Sequence, residues 1–273
     1  MGIRSGLILL GILGLVMLCY AQEESEPAPT PAPEPSIEIR ELIDSPTAGC
    51  LKKGQYDFEL RIFPQGGVLA GFAVGLFDRF SMGVSYGGIN IIGSDNVIWN
   101  EQPGVLLKYR LIEESIIMPA VALGFTNQGY GAWLEDMVPT RNVQTSRRYV
   151  FKAKGLFAVA GKNFQIMSLG TIGFHGGITF NAIENDDDQN IDAFVGIDKS
   201  LNEELTVLAE YDLATNDNGD LSVGKDRGYL HASVRWTFAE KLAVEIMLKD
   251  ILRNMKNSTN PSRELRITYT EAF

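Results

Sequence analysis

From Gln55 onward the chain alternates apolar and polar residues. In Gln55 to Ile62, Tyr56, Phe58, Leu60 and Ile62 alternate with Gln55, Asp57, Glu59 and Arg61. This two-residue period is that of a β-strand with one apolar face. The pattern predicts twelve strands, starting near Gln55, Val68, Phe80, Gly104, Ile116, Tyr149, Leu169, Asn190, Glu204, Tyr229, Lys241 and Glu264, with ten and fourteen as the neighbouring even counts. Most run about ten residues, the length a tilted strand needs to cross the hydrocarbon layer, and no helical period separates them.

The connections alternate too. Those after even-numbered strands are short (FDR, EES, GKNFQ, SLNE, AE), whereas those after the third, fifth, ninth and eleventh are long and polar or glycine-rich. A barrel with both termini on the periplasmic side has this order, with Pro64 to Gly67 as the exception. The predicted fold is therefore all-β: an antiparallel transmembrane β-barrel of about twelve strands. Parity turns Val68, Ala70, Phe72, Val74 and Leu76 to lipid, then Phe80, Met82, Val84 and Tyr86, then Leu230, Ala232, Val234, Trp236 and Phe238. The competing arrangement is a soluble β-sandwich that buries these faces against each other.

The segment before the strands has another character. Residues 1–21 read as a secretory signal peptide, with Arg4, an apolar run from Gly6 to Leu18 and a Cys19-Tyr20-Ala21 cleavage site. Leu18 before Cys19 argues against lipidation. Residues 22–54 form an acidic and proline-rich periplasmic leader, with Ile37 to Asp44 a short strand or a turn of helix, and the barrel takes 55–273. Once the signal is removed only Cys50 remains, so no disulfide framework is expected. The net charge of −10 argues against nucleic acid as a partner. A mean hydropathy of zero does not separate soluble from membrane protein, because a polar lumen offsets an apolar exterior.

Parity also names the lumen candidates: Asp57, Glu59, Arg61, Lys108, Arg110, Lys152, Lys154, Glu210, Arg235 and Glu245, with Asp192, Asp212, Lys249 and Arg266 beside them. Arg or Lys facing lipid at the midplane costs roughly 2–4 kcal/mol, so inward charge fits the fold. These groups either pair across a narrow lumen or line a polar path for ions or sugars. Lys108, Arg110, Lys152 and Lys154, placed on the fourth and sixth strands, suit an anionic polymer.

The segments PTAGCLKKGQYDFELRIFPQGG, VGLFDRFSMGVSYGG, PGVLLKYRLIEES and ALGFTNQGYG resemble the YjbH-like family of outer-membrane proteins, which is associated with bacterial exopolysaccharide production. The likeness covers roughly Pro46 to Lys199, and its most specific strings are KYRLIEE (Lys108 to Glu114) and GFTNQGYG (Gly124 to Gly131). It implies an outer-membrane barrel acting as a channel or export component, with outer-membrane lipid, anionic polysaccharide and periplasmic envelope proteins as partners. The alternative function is a structural or assembly barrel with a plugged lumen.

Catalytic and metal chemistry are not expected, nor is a cofactor. His231-Ala232-Ser233 puts a histidine and a serine on one strand face, as in the outer-membrane phospholipases, but parity aims the pair at the lumen. A lipid hydrolase is the least favoured function. His175 is likewise a lone inward histidine. Asn216 to Asp220 resembles a calcium loop, yet its register puts Ala214 and Lys225 at ligand positions.

Overall fold

The computed structural model describes residues 38–135, 147–166, 170–184, 186, 188–220, 222–256 and 258–273; the segment read as a signal peptide and the proline-rich stretch lie outside them. The described residues contain strands and no helix. They are β1 (Gln55–Phe63), β2 (Gly67–Phe77), β3 (Phe80–Ile89), β4 (Ile98–Trp99), β5 (Gly104–Ile112), β6 (Ala120–Thr126), β7 (Tyr130–Glu135), β8 (Arg147–Phe151), β9 (Gly155–Ile166), β10 (Gly170–Phe180), β11 (Asp192–Ser200), β12 (Leu205–Asp212), β13 (Tyr229–Phe238), β14 (Leu242–Lys249) and β15 (Ser262–Ala272).

Twelve of them close into a ring. The order runs β2-β1-β15-β14-β13-β12-β11-β10-β9-β6-β5-β3, and β3 pairs back onto β2. All these pairings are antiparallel, and the first and last strands meet as Gln55 opposite Ala272. Closure removes the free edges that an open sheet would offer for aggregation and gives each strand backbone a partner, as a lipid environment requires. The two-residue β4 extends the edge of β3 at Gly88 and Ile89.

The exterior carries the apolar parity set. Phe58, Val84, Leu156, Val195 and Ile246 stand exposed along the outside, while Asp57, Ser81, Phe157, Phe194 and Glu245 on the alternate positions are buried. Near the end that carries Gln55 and Phe273, Tyr56 packs on Phe273 and Phe72, and Trp236 lies against Phe238, which is the interfacial girdle expected of a membrane barrel. At this end β2 and β3 are joined by residues 78–79, β11 and β12 by 201–204, and β13 and β14 by 239–241. The opposite end carries the longer connections 90–103, 127–154, 181–191, 213–228 and 250–261, so only 64–66 breaks the alternation.

Two expected strands begin elsewhere. The fifth barrel strand starts at Ala120 rather than near Ile116, because Ser115 and Met118 close a turn first. The sixth is β9, starting at Gly155 rather than Tyr149. Tyr149 belongs to β8, which pairs with β7 in a separate hairpin inside the long 127–154 connection. Entry to β9 then needs the positive φ of Gly155, where a Cβ would strike the Phe180 carbonyl. Lys152 and Lys154 therefore precede the sixth strand instead of lying on it.

The lipid-facing assignment predicts that Ile246→Arg, in the middle of β14, costs about 2–4 kcal/mol of barrel stability in bilayers. Inward Ser81→Ala should change it by less. Heat-modifiable gel migration after urea titration in lipid vesicles measures both.

Candidate functional site: a lumen filled by residues 38–51

The stretch Glu38 to Leu51, assigned by sequence to the leader, is folded into the barrel. It enters beside Arg110 at the short-turn end, where Arg110 donates to Glu38 at 2.5 Å. It then rises to a tight turn in which Leu42 N–H donates to the Ser45 carbonyl and Glu41 bridges Pro46. It returns to Gly54, whose N–H donates to the Gly75 carbonyl at the same end. Gly75 permits this approach, because a Cβ there would overlap the Leu51 and Lys52 carbonyls.

An apolar contact and a polar clamp hold the turn. Leu42 and Ile43 are fully buried, in a cluster with inward Ala122, Phe157, Val159, Phe194, Leu208 and Met247 from five wall strands. Gly196 of β11 leaves the room that Leu42 fills. The clamp is Glu210 of β12, only 1% exposed. Its Oε2 accepts the backbone N–H of Ile43, Asp44 and Ser45 at 2.9, 3.0 and 3.0 Å, and its Oε1 accepts the Ser45 hydroxyl at 2.9 Å. Three consecutive N–H groups converging on one carboxylate make a backbone anion nest, turned here toward the wall.

The wall cations take the opposite groups of the same segment. Arg266 donates to the Leu42 carbonyl at 2.5 Å and to Glu41 at 3.2 Å, and Arg235 donates to the Glu41 carbonyl at 3.1 Å. Both guanidinium groups also hold Glu245 at 2.8 Å, and Ser233 donates to that carboxylate at 2.6 Å. Across the barrel, Lys108 donates to the carbonyls of Arg40 at 2.7 Å and Gly49 at 3.2 Å, and Arg110 to that of Ala48 at 2.9 Å. Asp57 pairs with Arg40 and accepts the Ala73 N–H. Glu59 shares this side of β1, within electrostatic reach of Arg266, Glu41, Arg61 and Arg40.

The far end is covered from outside. The β7–β8 hairpin brings Tyr130 against Phe63, Leu69 and Ile89, and stacks it on Phe151. Arg148 is buried between Asp186 at 2.8 Å and Asp217 at 2.5 Å. Lys152 binds Asp186 at 2.8 Å, and Lys154 pairs with Asp212. The four cations grouped in the sequence thus separate: Lys108 and Arg110 hold the inserted segment, whereas Lys152 ties the end of the hairpin to the long loops and Lys154 ties it to the end of wall strand β12. Asp192 caps Thr215 at the same rim.

Tip, hairpin and wall meet at Asp44. Its Oδ1 accepts from Arg61 at 2.6 Å and Tyr130 at 3.2 Å, and its Oδ2 faces Lys249 at 2.5 Å and His231 at 3.6 Å. Glu264 completes the group, 2.7 Å from Arg61. His231 accepts the Asp250 N–H while Ser233 donates to Glu245, so the two are not joined as base and nucleophile. His175 bonds Asp198 at 2.6 Å. Among the described residues no group of three or more His, Cys, Asp or Glu is placed to hold a metal ion.

Asp44, Tyr130 and Glu264 were absent from the parity set. Glu264 shares the parity of Arg266, and Phe194, Leu208 and Met247 share that of Asp192, Glu210 and Glu245, inward apolar positions that a water-filled lumen does not call for. Those three were the available signal that something apolar fills the barrel, whereas Phe157 turns inward only because its strand starts at Gly155.

No protein-family model matches the chain, and no curated protein sequence matches it. Among solved structures, the KdgM porin aligns over 80% of this chain and 99% of its own, at 9% identity and a TM-score of 0.42. The Acinetobacter baumannii outer membrane protein Omp33 aligns over 80% and 97%, at 10% identity and a TM-score of 0.42. Salmonella typhi OmpF, in complex with daunomycin, aligns over 74% and 61%, at 14% identity and a TM-score of 0.31. Likenesses this distant do not bear on function; the barrel assignment stands on the closed ring of strand pairings.

Two expectations follow. Glu210→Ala removes the acceptor of three backbone N–H groups and should weaken docking by about 2–3 kcal/mol, roughly 30- to 160-fold in the undocked population. Maleimide labelling of Cys50, which is buried in the docked segment, reports that change. The second concerns pH. Burial alone would raise the Asp44 carboxyl, but the charges of Lys249 and Arg61 hold it well below the usual carboxylate range, with His231 adding to them. A carboxyl lowered in the folded state stabilises fully above its unfolded value, about 4, and that contribution is lost as pH falls through the lowered value. Thermal unfolding between about pH 2 and 6 should therefore show an acid limb that is shallower in Asp44→Asn.

Proposed function

We propose that this protein is a bacterial outer-membrane β-barrel that closes its own lumen, a plugged passage component of the envelope whose cargo is an acidic polysaccharide. The observation that carries this reading is the clamp of Glu210 on the turn Ile43 to Ser45, with Arg235 and Arg266 on the adjoining carbonyls. A segment held through its backbone can leave without breaking a strand pairing. Once it leaves, Lys108 and Arg110 lose the carbonyls they bind and face the lumen as a cationic stripe suited to carboxylate-bearing polymer. The sequence likeness to the exopolysaccharide-associated family favours the same cargo, and the leader would lie on the periplasmic side, within reach of envelope proteins. The fully buried Leu42 and Ile43 favour a second reading, a permanent plug in a structural barrel.

Planar-bilayer recording separates the two. The processed wild-type chain should conduct little, and deletion of residues 38–50 should give stable steps that added polygalacturonate blocks. Replacing both Lys108 and Arg110 with Gln in the deleted form should weaken the block at least tenfold. A deleted barrel that folds and stays silent removes the passage reading and leaves the structural plug.

A further inference from the structure

Asp44 sits in a pocket built for a carboxylate. Lys249 is completely buried, and Arg61, Glu264, Tyr130 and His231 are each at least nine-tenths buried. Arg61 and Tyr130 address one oxygen, Lys249 and His231 the other, and the Arg61 guanidinium lies 4.4 Å from the centre of the Tyr130 ring. The wall contributes two cations, Arg61 and Lys249, and one anion, Glu264. The second anion comes from the inserted segment, so withdrawal of Asp44 leaves an unbalanced buried positive charge and takes an acceptor from Tyr130. Isolated buried charge is strongly unfavourable. Tyr130 belongs to the β7–β8 hairpin at the long-loop end, so this pocket joins that hairpin to the tip of the inserted segment.

We propose that Arg61, Lys249, Tyr130 and His231 form a receptor site for a free carboxylate, and that Asp44 is its resident internal ligand. A carboxylate entering past the β7–β8 hairpin takes the place of Asp44, keeps the charge balanced and releases the turn from its latch. The ligand class is a monocarboxylate or the uronate residue of an acidic polymer. This site rests on the plugged-lumen reading above, but its test needs no conduction, so the two fail separately.

The test uses the processed chain, folded in lipid nanodiscs, with Cys50 as reporter. Sodium acetate and sodium galacturonate should accelerate maleimide labelling of Cys50 saturably and at least fivefold, while sodium chloride at equal ionic strength should not. Asp44→Ala should label rapidly without added ligand. Its thermal midpoint should rise with acetate, which fills the vacated space, whereas that of the wild type should not. Asp44→Asn, which keeps the shape and loses the charge, serves if the alanine variant does not fold, and should lose the carboxylate-dependent acceleration. Equal acceleration by chloride, or no difference between wild type and either Asp44 variant in the response to acetate, overturns the proposal.

Discussion

Charge enclosed in a narrow barrel needs partners, and that constraint organises the molecule. The apolar exterior leaves ionic groups nowhere to point but inward, where Asp57, Arg61, Lys108, Glu210, Glu245 and Arg266 are all buried and must be answered by other groups of the chain. Side chains satisfy part of the demand, as Glu245 does between Arg235 and Arg266. Backbone supplies the rest. The inserted segment gives N–H groups to Glu210 and carbonyls to Lys108, Arg110, Arg235 and Arg266, answering both signs with one short stretch of chain.

This division explains what was legible in the sequence. Strand number, closure and facing follow from a side-chain period, and side chains are what a sequence displays, so β1, β2, β3 and β13 lie where alternation puts them. Tyr149 misled because a hairpin folded over the barrel end alternates as a wall strand does; only its pairing with Trp133 rather than with the wall distinguishes it. The role of residues 38–51 was hidden for a different reason. Its docking groups are mostly peptide N–H and C=O, which every residue carries. Glu210 was recognised as inward, but nothing local says that its partners lie 165 to 167 positions away.

Polar and apolar contacts have different roles inside the barrel. Leu42 and Ile43 against Phe194, Leu208 and Met247 give non-directional attachment. The clamp at Glu210 and the cluster at Asp44 fix register, since removing one member leaves the others buried without partners. Sliding the turn by one residue would move Asp44 away from Lys249 and offer Glu210 a different set of N–H groups.

Both feet of the inserted loop stand at the same opening, with Glu38 beside Arg110 and Gly54 beside Gly75. The β7–β8 hairpin is tethered at the other. Among the described residues neither obstruction passes from one opening through to the other, so withdrawing either toward its own side, as a drawer slides out, would leave every pairing of the cylinder intact.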